Sequence, residues 1–337
     1  MTIRSVLITG GAGYVGALLT PRLLAAGYQV VVYDLMYYGC FLQPHPDLRI
    51  IEADIRDTGR FAQACHGIDA VIHLACISND PSFELDEALS RSINYDCFEP
   101  MVTAAKAAGV RRFLYASSSS VYGVSDAPEV TEEHPLVPLT LYSRFKGLCE
   151  PLLFRHQAPD FVCTVIRPAT LCGYSPRMRF DLTVNILTNH AVNKGAITVF
   201  GGEQKRPNLH VDDMCDLYRL ILEAPDDAIA GETYNVGFQN HTVHEIASMV
   251  RDTATAYWAG AGVERPPVAI STTPTNDIRS YHISSAKIAA RLGFRPRRGV
   301  SDAVGDLCRA FTAGLLPDSL TNPLFFNLET LKRRRAA

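Results

Sequence analysis

Tyr142 and Lys146 stand four residues apart in the run Leu141-Tyr-Ser-Arg-Phe-Lys146. On a helix that spacing puts a phenol and an ammonium on one face. A free tyrosine titrates near pH ~10 and is a poor base at neutrality. A neighbouring cation favours the phenolate and lowers that value. The pair is a candidate proton-transfer device, although any solvated helix face can carry the same spacing. Its weight comes from what the rest of the chain places beside it.

The first elements supply a cofactor loop. Ser5–Thr9 is a short apolar, β-branched run, followed by Gly10-Gly-Ala-Gly-Tyr-Val-Gly16, then a helical stretch to Ala26 and a closing Gly27. This order reads as strand, tight turn, helix and C-terminal glycine. Gly10, Gly13 and Gly16 permit the turn, close approach of a pyrophosphate, and close helix–strand packing. The helix start offers free amides and partial positive charge to phosphates. Tyr28–Asp34 is the next strand. Its final carboxylate, Asp34, lies eighteen residues beyond Gly16, where an acid accepts from the adenosine ribose and repels a 2′-phosphate. That predicts NAD rather than NADP.

The elements between these points alternate. Strands are predicted at 48–55, 70–75, 112–117 and 161–167. Helices are predicted at roughly 85–108 and at 140–156, the latter carrying the Tyr/Lys pair. Such alternation with apolar strands predicts an α/β fold, a Rossmann-type doubly wound parallel sheet covered on both faces. Ligands on such sheets collect at the carboxyl ends of the strands. Gly10, Asp34, Asp54, Ala75, Ser117 and Arg167 all fall there. From about 170 the rhythm changes: a basic loop at 171–181, a helix near 182–194 and a strand at 197–200. We expect residues 1–170 to form the NAD-binding domain, with 206–240 returning to it. Residues 171–337 should form mostly a smaller C-terminal α/β substrate-binding lobe. Prolines at 21, 100 and 151 fall inside apparent helices, where an interior proline loses a bond.

Bulk properties exclude several classes. A chain of 337 residues exceeds the size of one ordinary core, which fits two lobes. No apolar run reaches the ~18 residues needed to cross a membrane, and no export signal is legible. A net charge of −3 points away from a polyanion-binding surface, so neither nucleic acid nor membrane is an expected partner. The basic tail Lys332–Arg335 reads as a frayed solvated end. Nine cysteines lack close pairs of metal-ligand spacing and sit mainly in apolar segments. With no export signal, a reduced cytoplasm is the expected location. His241, His244 and Glu245 could suggest a metal, but the better reading is a helix start with Thr242 as cap and Glu245 as its box partner. No metal is expected.

With these motifs in order, the chain resembles the extended short-chain dehydrogenases/reductases, in the branch of NAD-dependent nucleotide-sugar epimerases and dehydratases. The resemblance rests on Thr9–Gly16, Asp54-Ile55, His73-Leu-Ala75, the serine run Ala116–Gly123, Tyr142/Lys146, Arg167-Pro168, Arg206–Asp213, Asn276–Tyr281 and Leu292-Gly-Phe294. It implies Ser118, Tyr142 and Lys146 as catalytic residues. It implies cofactor contacts from Gly10, Gly13, Tyr14, Val15, Gly16, Asp34, Leu35, Asp54, Ile55, Leu74, Ala75, Ser117, Tyr142, Lys146 and Pro168. Substrate contacts are implied for Asn79, Ser118, Ser119, Asn185, Arg206 and Arg279, with Arg206 and Arg279 at positions that resemble phosphate-binding arginines. Arg177 and Arg179 could assist, or belong to a solvated basic loop. Ser78-Asn79-Asp80 could touch the sugar or form an Asx turn.

The resemblance also separates reactions. Related 4,6-dehydratases carry Asp-Glu where this chain has Ser119-Ser120. The GDP-fucose synthase type carries a cysteine at the position of Ser120. The implied activity is therefore a UDP-glucose/galactose 4-epimerase-like interconversion of a nucleotide-diphosphate sugar. A ketoreductase, a dehydratase or decarboxylase, and a non-catalytic nucleotide sensor remain the alternatives. Relatives imply a homodimer through helices near 90–108 and 142–156.

Overall fold

The computed structural model describes residues 2–275 and 280–336. Twelve strands are found among them: β1 Ser5–Thr9, β2 Gln29–Asp34, β3 Leu48–Glu52, β4 Ala70–His73, β5 Arg112–Ala116, β6 Val162–Pro168, β7 Thr170–Cys172, β8 Ala196–Phe200, β9 Lys205–His210, β10 Glu232–Val236, β11 Gln239–Thr242 and β12 Ala269–Thr273. Seven of them form one sheet in the order β10-β6-β5-β4-β1-β2-β3. Every pairing within it is parallel. The order reverses beside β1, between β4 and β2, and such a switch point is where a ligand crevice opens.

Both faces of this sheet are covered, as the strand sequences require. Along β1, Val6 and Ile8 pack with Leu19, Leu23, Leu217 and Tyr218 on one side. Leu7 packs with Phe61, Phe98 and Met101 on the other. The same alternation holds in β2, where Val30 and Val32 face one layer and Val31 and Tyr33 the opposite layer. β10 lies far along the sequence yet pairs with β6, and the helix Val211–Glu223 covers the first layer.

A second core lies beyond residue 170. The helices Thr183–Lys194, Val243–Gly260 and Val300–Thr312 enclose Leu187, Ile197, Val199, Ile246, Val250 and Val304. Small sheets frame it: β7 and β11 flank β9, and β8 pairs in parallel with β12. Thr242 caps the long helix and Glu245 returns the bond to the Thr242 amide at 2.7 Å, the expected capping box.

Two expectations need correction. The single helix expected at 85–108 is broken into Glu87–Arg91, a wider turn Ser92–Asp96 and Phe98–Ala107, with a separate short helix Asp80–Glu84 before it. Pro100 has no amide to return to the preceding turn. Just before it the Cys97 amide bonds back five residues, to the Ser92 carbonyl at 3.3 Å. The basic tail is not a frayed end: Asn327–Ala336 is a helix. Its Leu331 is buried against the second layer of the main sheet, and Arg335 donates to the Leu85 carbonyl at 2.7 Å. No helix among the described residues is long and apolar enough to cross a membrane.

Candidate active site

A cavity opens over the carboxyl ends of the main strands. Gly10, Gly13, Tyr14, Val15, Gly16, Asp34, Leu35, Ile55, Leu74, Ala75, Ser117, Tyr142, Lys146 and Pro168 all line it. Of the expected cofactor contacts only Asp54 lies outside its wall, because its carboxylate turns to Arg56, whose Nη2 donates at 2.5 Å.

The glycine loop has no room for side chains. Gly10 adopts φ +70°, and a Cβ there would meet the Ala75 amide nitrogen at 2.7 Å. A Cβ on Gly16 would meet the Gly11 carbonyl oxygen at 2.4 Å, closer than any backbone tolerates. Asp34 ties the loop to its strand: its carboxylate accepts from the Ala12 amide at 3.0 Å and the Met36 amide at 2.8 Å. Burial raises the Asp34 pKa, and those two amides partly oppose the rise. Gly16→Ala is expected to displace the loop and yield protein that purifies without nicotinamide nucleotide, measured by cofactor released on denaturation; wild-type cofactor content would refute the cradle.

The Tyr142/Lys146 pair sits in the helix Leu141–Phe154, capped by Thr140. Lys146 is 3% exposed, and its ammonium donates to the Ala116 carbonyl at 2.7 Å. It lies 6.0 Å from the centre of the Tyr142 ring. Burial pushes the Tyr142 pKa well above its ordinary value; Cys76 adds to the rise and Arg179 opposes it. Desolvation thus outweighs the expected depression of the phenol, and the cation that opposes the rise is Arg179.

Behind the pair lies a buried network that the sequence reading missed. The Ser117 hydroxyl donates to Glu150 Oε1 at 2.5 Å. Arg167 forks onto the same carboxylate at 3.0 and 2.6 Å and also donates to the Tyr122 hydroxyl at 2.6 Å. Tyr122 in turn donates to Asn235 at 2.7 Å. Glu150 follows Lys146 by four residues, so Tyr142, Lys146 and Glu150 share one helix face. That spacing was the available signal.

A second cavity adjoins the first, lined by Asp80, Ser120, Thr140, Ser143, Asp181, Arg206 and Tyr281 among others. The Arg206 guanidinium is buried and lies 5.7 Å from the Tyr281 ring centre. Arg179 lines the first cavity and its ion partner Asp181, at 2.9 Å, lines the second. The pair therefore stands on the partition between them.

The Ser118 hydroxyl is bonded to that of Ser120 at 2.8 Å, and Ser120 is the one that lines the second cavity. Ser119 is 1% exposed and lines neither cavity. Asn185 is buried, its carbonyl accepting from the Gly173 amide at 3.0 Å while its amide donates to the Tyr14 hydroxyl at 3.1 Å and the Arg179 carbonyl at 3.0 Å. It organises the loop rather than facing a cavity. Asn79 takes the Asx reading, capping Asp80–Glu84 by accepting from Ser82, and also donates to Asp181 at 2.6 Å. Arg279 lies outside the described residues. Away from both cavities, His210, Asp212 and Asp306 come close enough for a metal, but Arg22 pairs with Asp212 and Arg309 with Asp306.

A doubly wound parallel sheet, a glycine cradle, a strand-end acid and a Tyr/Lys helix together define a nucleotide-dependent enzyme of the short-chain dehydrogenase/reductase type. The family model described as "NAD dependent epimerase/dehydratase family" matches residues 6–237, and this chain belongs to that family. It is 29% identical to a UDP-glucose 4-epimerase of Mycolicibacterium smegmatis, over 90% of this chain and 97% of that one. It is 27% identical to a dTDP-glucose 4,6-dehydratase of Streptomyces niveus, over 89% and 90%. An uncharacterised protein of Sinorhizobium fredii, y4nG, is 31% identical, and the match spans 60% of that protein's length. Among solved structures, MoeE5 in complex with UDP-glucuronic acid and NAD superposes with a TM-score of 0.77 at 26% identity, covering 92% of this chain and 99% of that one. DesIV, a dTDP-glucose 4,6-dehydratase from Streptomyces venezuelae, gives 0.80 at 24%, covering 95% and 99%, a likeness of fold. NAD is the cofactor of the family, and the Cβ-free cradle and the carboxylate of Asp34 fit it.

Proposed function

We propose that this chain is a nucleotide-sugar epimerase that oxidises one sugar hydroxyl transiently and restores it with the opposite configuration. The observation that carries the reading is the serine loop. Ser119 and Ser120 hold hydroxyls where related dehydratases hold an acid pair. Ser119 is buried and Ser120 is bonded to Ser118. No carboxylic acid is available in that loop to expel a hydroxyl. Epimerase and dehydratase relatives both align over nearly the whole chain, so the choice between them rests on the serine loop.

The residues divide the work as follows. Tyr142 removes the proton from the sugar hydroxyl, and Lys146 and Arg179 supply the positive charge that favours its phenolate. Ser118 and Ser120 orient the hydroxyl. Arg206 offers a forked cation to the nucleotide diphosphate in the second cavity. Bound NAD would supply reversible hydride transfer at the sugar carbon, so no external reductant would be consumed.

The test is incubation of the purified protein with UDP-, dTDP-, GDP- and CDP-sugars in deuterated water and without added cofactor. Inversion of one hydroxyl carbon with no solvent deuterium incorporated is expected. Product formed only when NADH or NADPH is added would replace this reading with a ketoreductase. Accumulation of a deoxy-keto sugar would replace it with a dehydratase.

A further inference from the structure

The first cavity contains a cation that the glycine loop, Asp34 and the Tyr142/Lys146 pair do not explain. Arg177 lines it and is 2% exposed. Its guanidinium lies 3.9 Å above the centre of the Tyr38 ring. One Nη donates to the Met178 carbonyl at 3.3 Å and the other to the side chain of Asn327, while Nε is buried with no partner. Burial, with Arg179 nearby, pulls the Arg177 pKa down to about 10; Tyr38, Asp181 and Asp34 act the other way. A buried guanidinium with an unused donor is costly unless an anion completes its shell. Asp181 is already bonded to Arg179 and Asn79. Lys146, Arg177 and Arg179 line the first cavity against the single carboxylate of Asp34, so cations outnumber acids in its wall.

One of the residues that fix Arg177, Asn327, comes from the far end of the chain. Asn327 is 2% exposed, and its amide donates to Ser78 Oγ at 2.8 Å across the cavity rim. The segment around it is docked and not merely adjacent. The Phe180 amide donates to the Phe325 carbonyl at 2.8 Å. Arg334 donates to the Tyr37 carbonyl at 3.0 Å and covers the Tyr37 ring at 4.7 Å. Tyr37, Tyr38 and Ser78 all line the same cavity.

We propose that Arg177 is a cofactor-binding residue that holds the pyrophosphate of NAD from the side opposite the glycine loop, and that Asn327 makes the C-terminal segment part of the cofactor site. The substrate's diphosphate is the other source of the same chemistry. It is disfavoured because Arg177 shares its cavity with Gly10, Gly13 and Asp34, whereas Arg206 and Tyr281 line the second one. The inference rests on NAD being the cofactor and not on which sugar reaction follows.

The experiment titrates the full-length chain, freed of nucleotide, with NAD, ADP, adenosine and UDP by calorimetry. Arg177→Met is expected to weaken NAD and ADP by about ten- to a hundred-fold, the value of a charge-assisted bond. Adenosine should change less than about twofold, since it has no phosphate for Arg177 to meet. Asn327→Ala should shift NAD and ADP in the same direction by a smaller factor, with adenosine again changed by less than about twofold. If Arg177→Met does not fold, Asn327→Ala decides on the same criteria. Unchanged NAD and ADP affinities, equal losses for adenosine, or a loss confined to UDP would overturn the proposal.

Discussion

Tyr142→Phe is expected to retain its NAD and lose about 10²- to 10⁴-fold in kcat, the range ascribed to a positioned general base. The ring stays in the cavity wall, so packing and cofactor content should not move. Only the titrating oxygen is lost. The pH profile carries further information. Burial raises the Tyr142 pKa well above the ordinary tyrosine value, so the acid form dominates at neutral pH in the absence of further positive charge. The wild-type rate should therefore climb as pH rises and the phenolate fraction grows. Removing a cation raises the phenol's pKa further, so Lys146→Met should displace the acid limb to higher pH. An unimpaired Tyr142→Phe enzyme would remove Tyr142 from the chemistry.

What the sequence made legible follows from how local its causes are. The glycine loop, the strand ends and the Thr242 cap depend on residues within a few positions of one another. They appear where the pattern put them: Gly10 with its positive φ, Asp34 closing β2, Thr242 bonded to Glu245. The substrate side was less legible because its side chains are claimed by partners remote in sequence. Asn185 is spent on Tyr14, 171 positions away, and Asn79 on Asp181, 102 positions away. No window of sequence displays such competition. The C-terminal tail failed for the same reason. Its run of arginines reads as solvated by composition, yet Arg334 and Arg335 donate to the carbonyls of Tyr37, in the wall of the cofactor cavity, and Leu85, at the end of the helix Asp80–Glu84. Glu150 was readable in principle, one helical turn beyond Lys146, but its meaning required Arg167 from β6.

Glu150→Gln should be the most destabilising of the conservative single changes around the cavities. Glu150 and Arg167 are both buried, with side chains 5% and 7% exposed, and pair at 2.6 Å. Burial alone would depress the Arg167 pKa; the carboxylate and Tyr122 more than reverse this and raise it. Glutamine keeps the shape but leaves the guanidinium charge uncompensated in a low-dielectric site. Removing one partner of such a pair costs about 3–5 kcal/mol. By contrast, Glu223→Gln on the exposed Arg219–Glu223 pair should cost no more than about 0.5 kcal/mol. Denaturant unfolding of the two variants side by side measures the difference. Because Ser117 donates to the same carboxylate and lines the cofactor cavity, Glu150→Gln should also loosen NAD. The double variant Glu150→Leu/Arg167→Met separates the causes. It removes both charges and should recover part of the stability, since apolar replacement of a buried pair is often neutral or better. It should not recover NAD affinity, because Ser117 still lacks its acceptor. A Glu150→Gln midpoint equal to that of Glu223→Gln would mean that the buried pair contributes no more than a surface one, and the network would lose its place as the support of the Tyr142 helix.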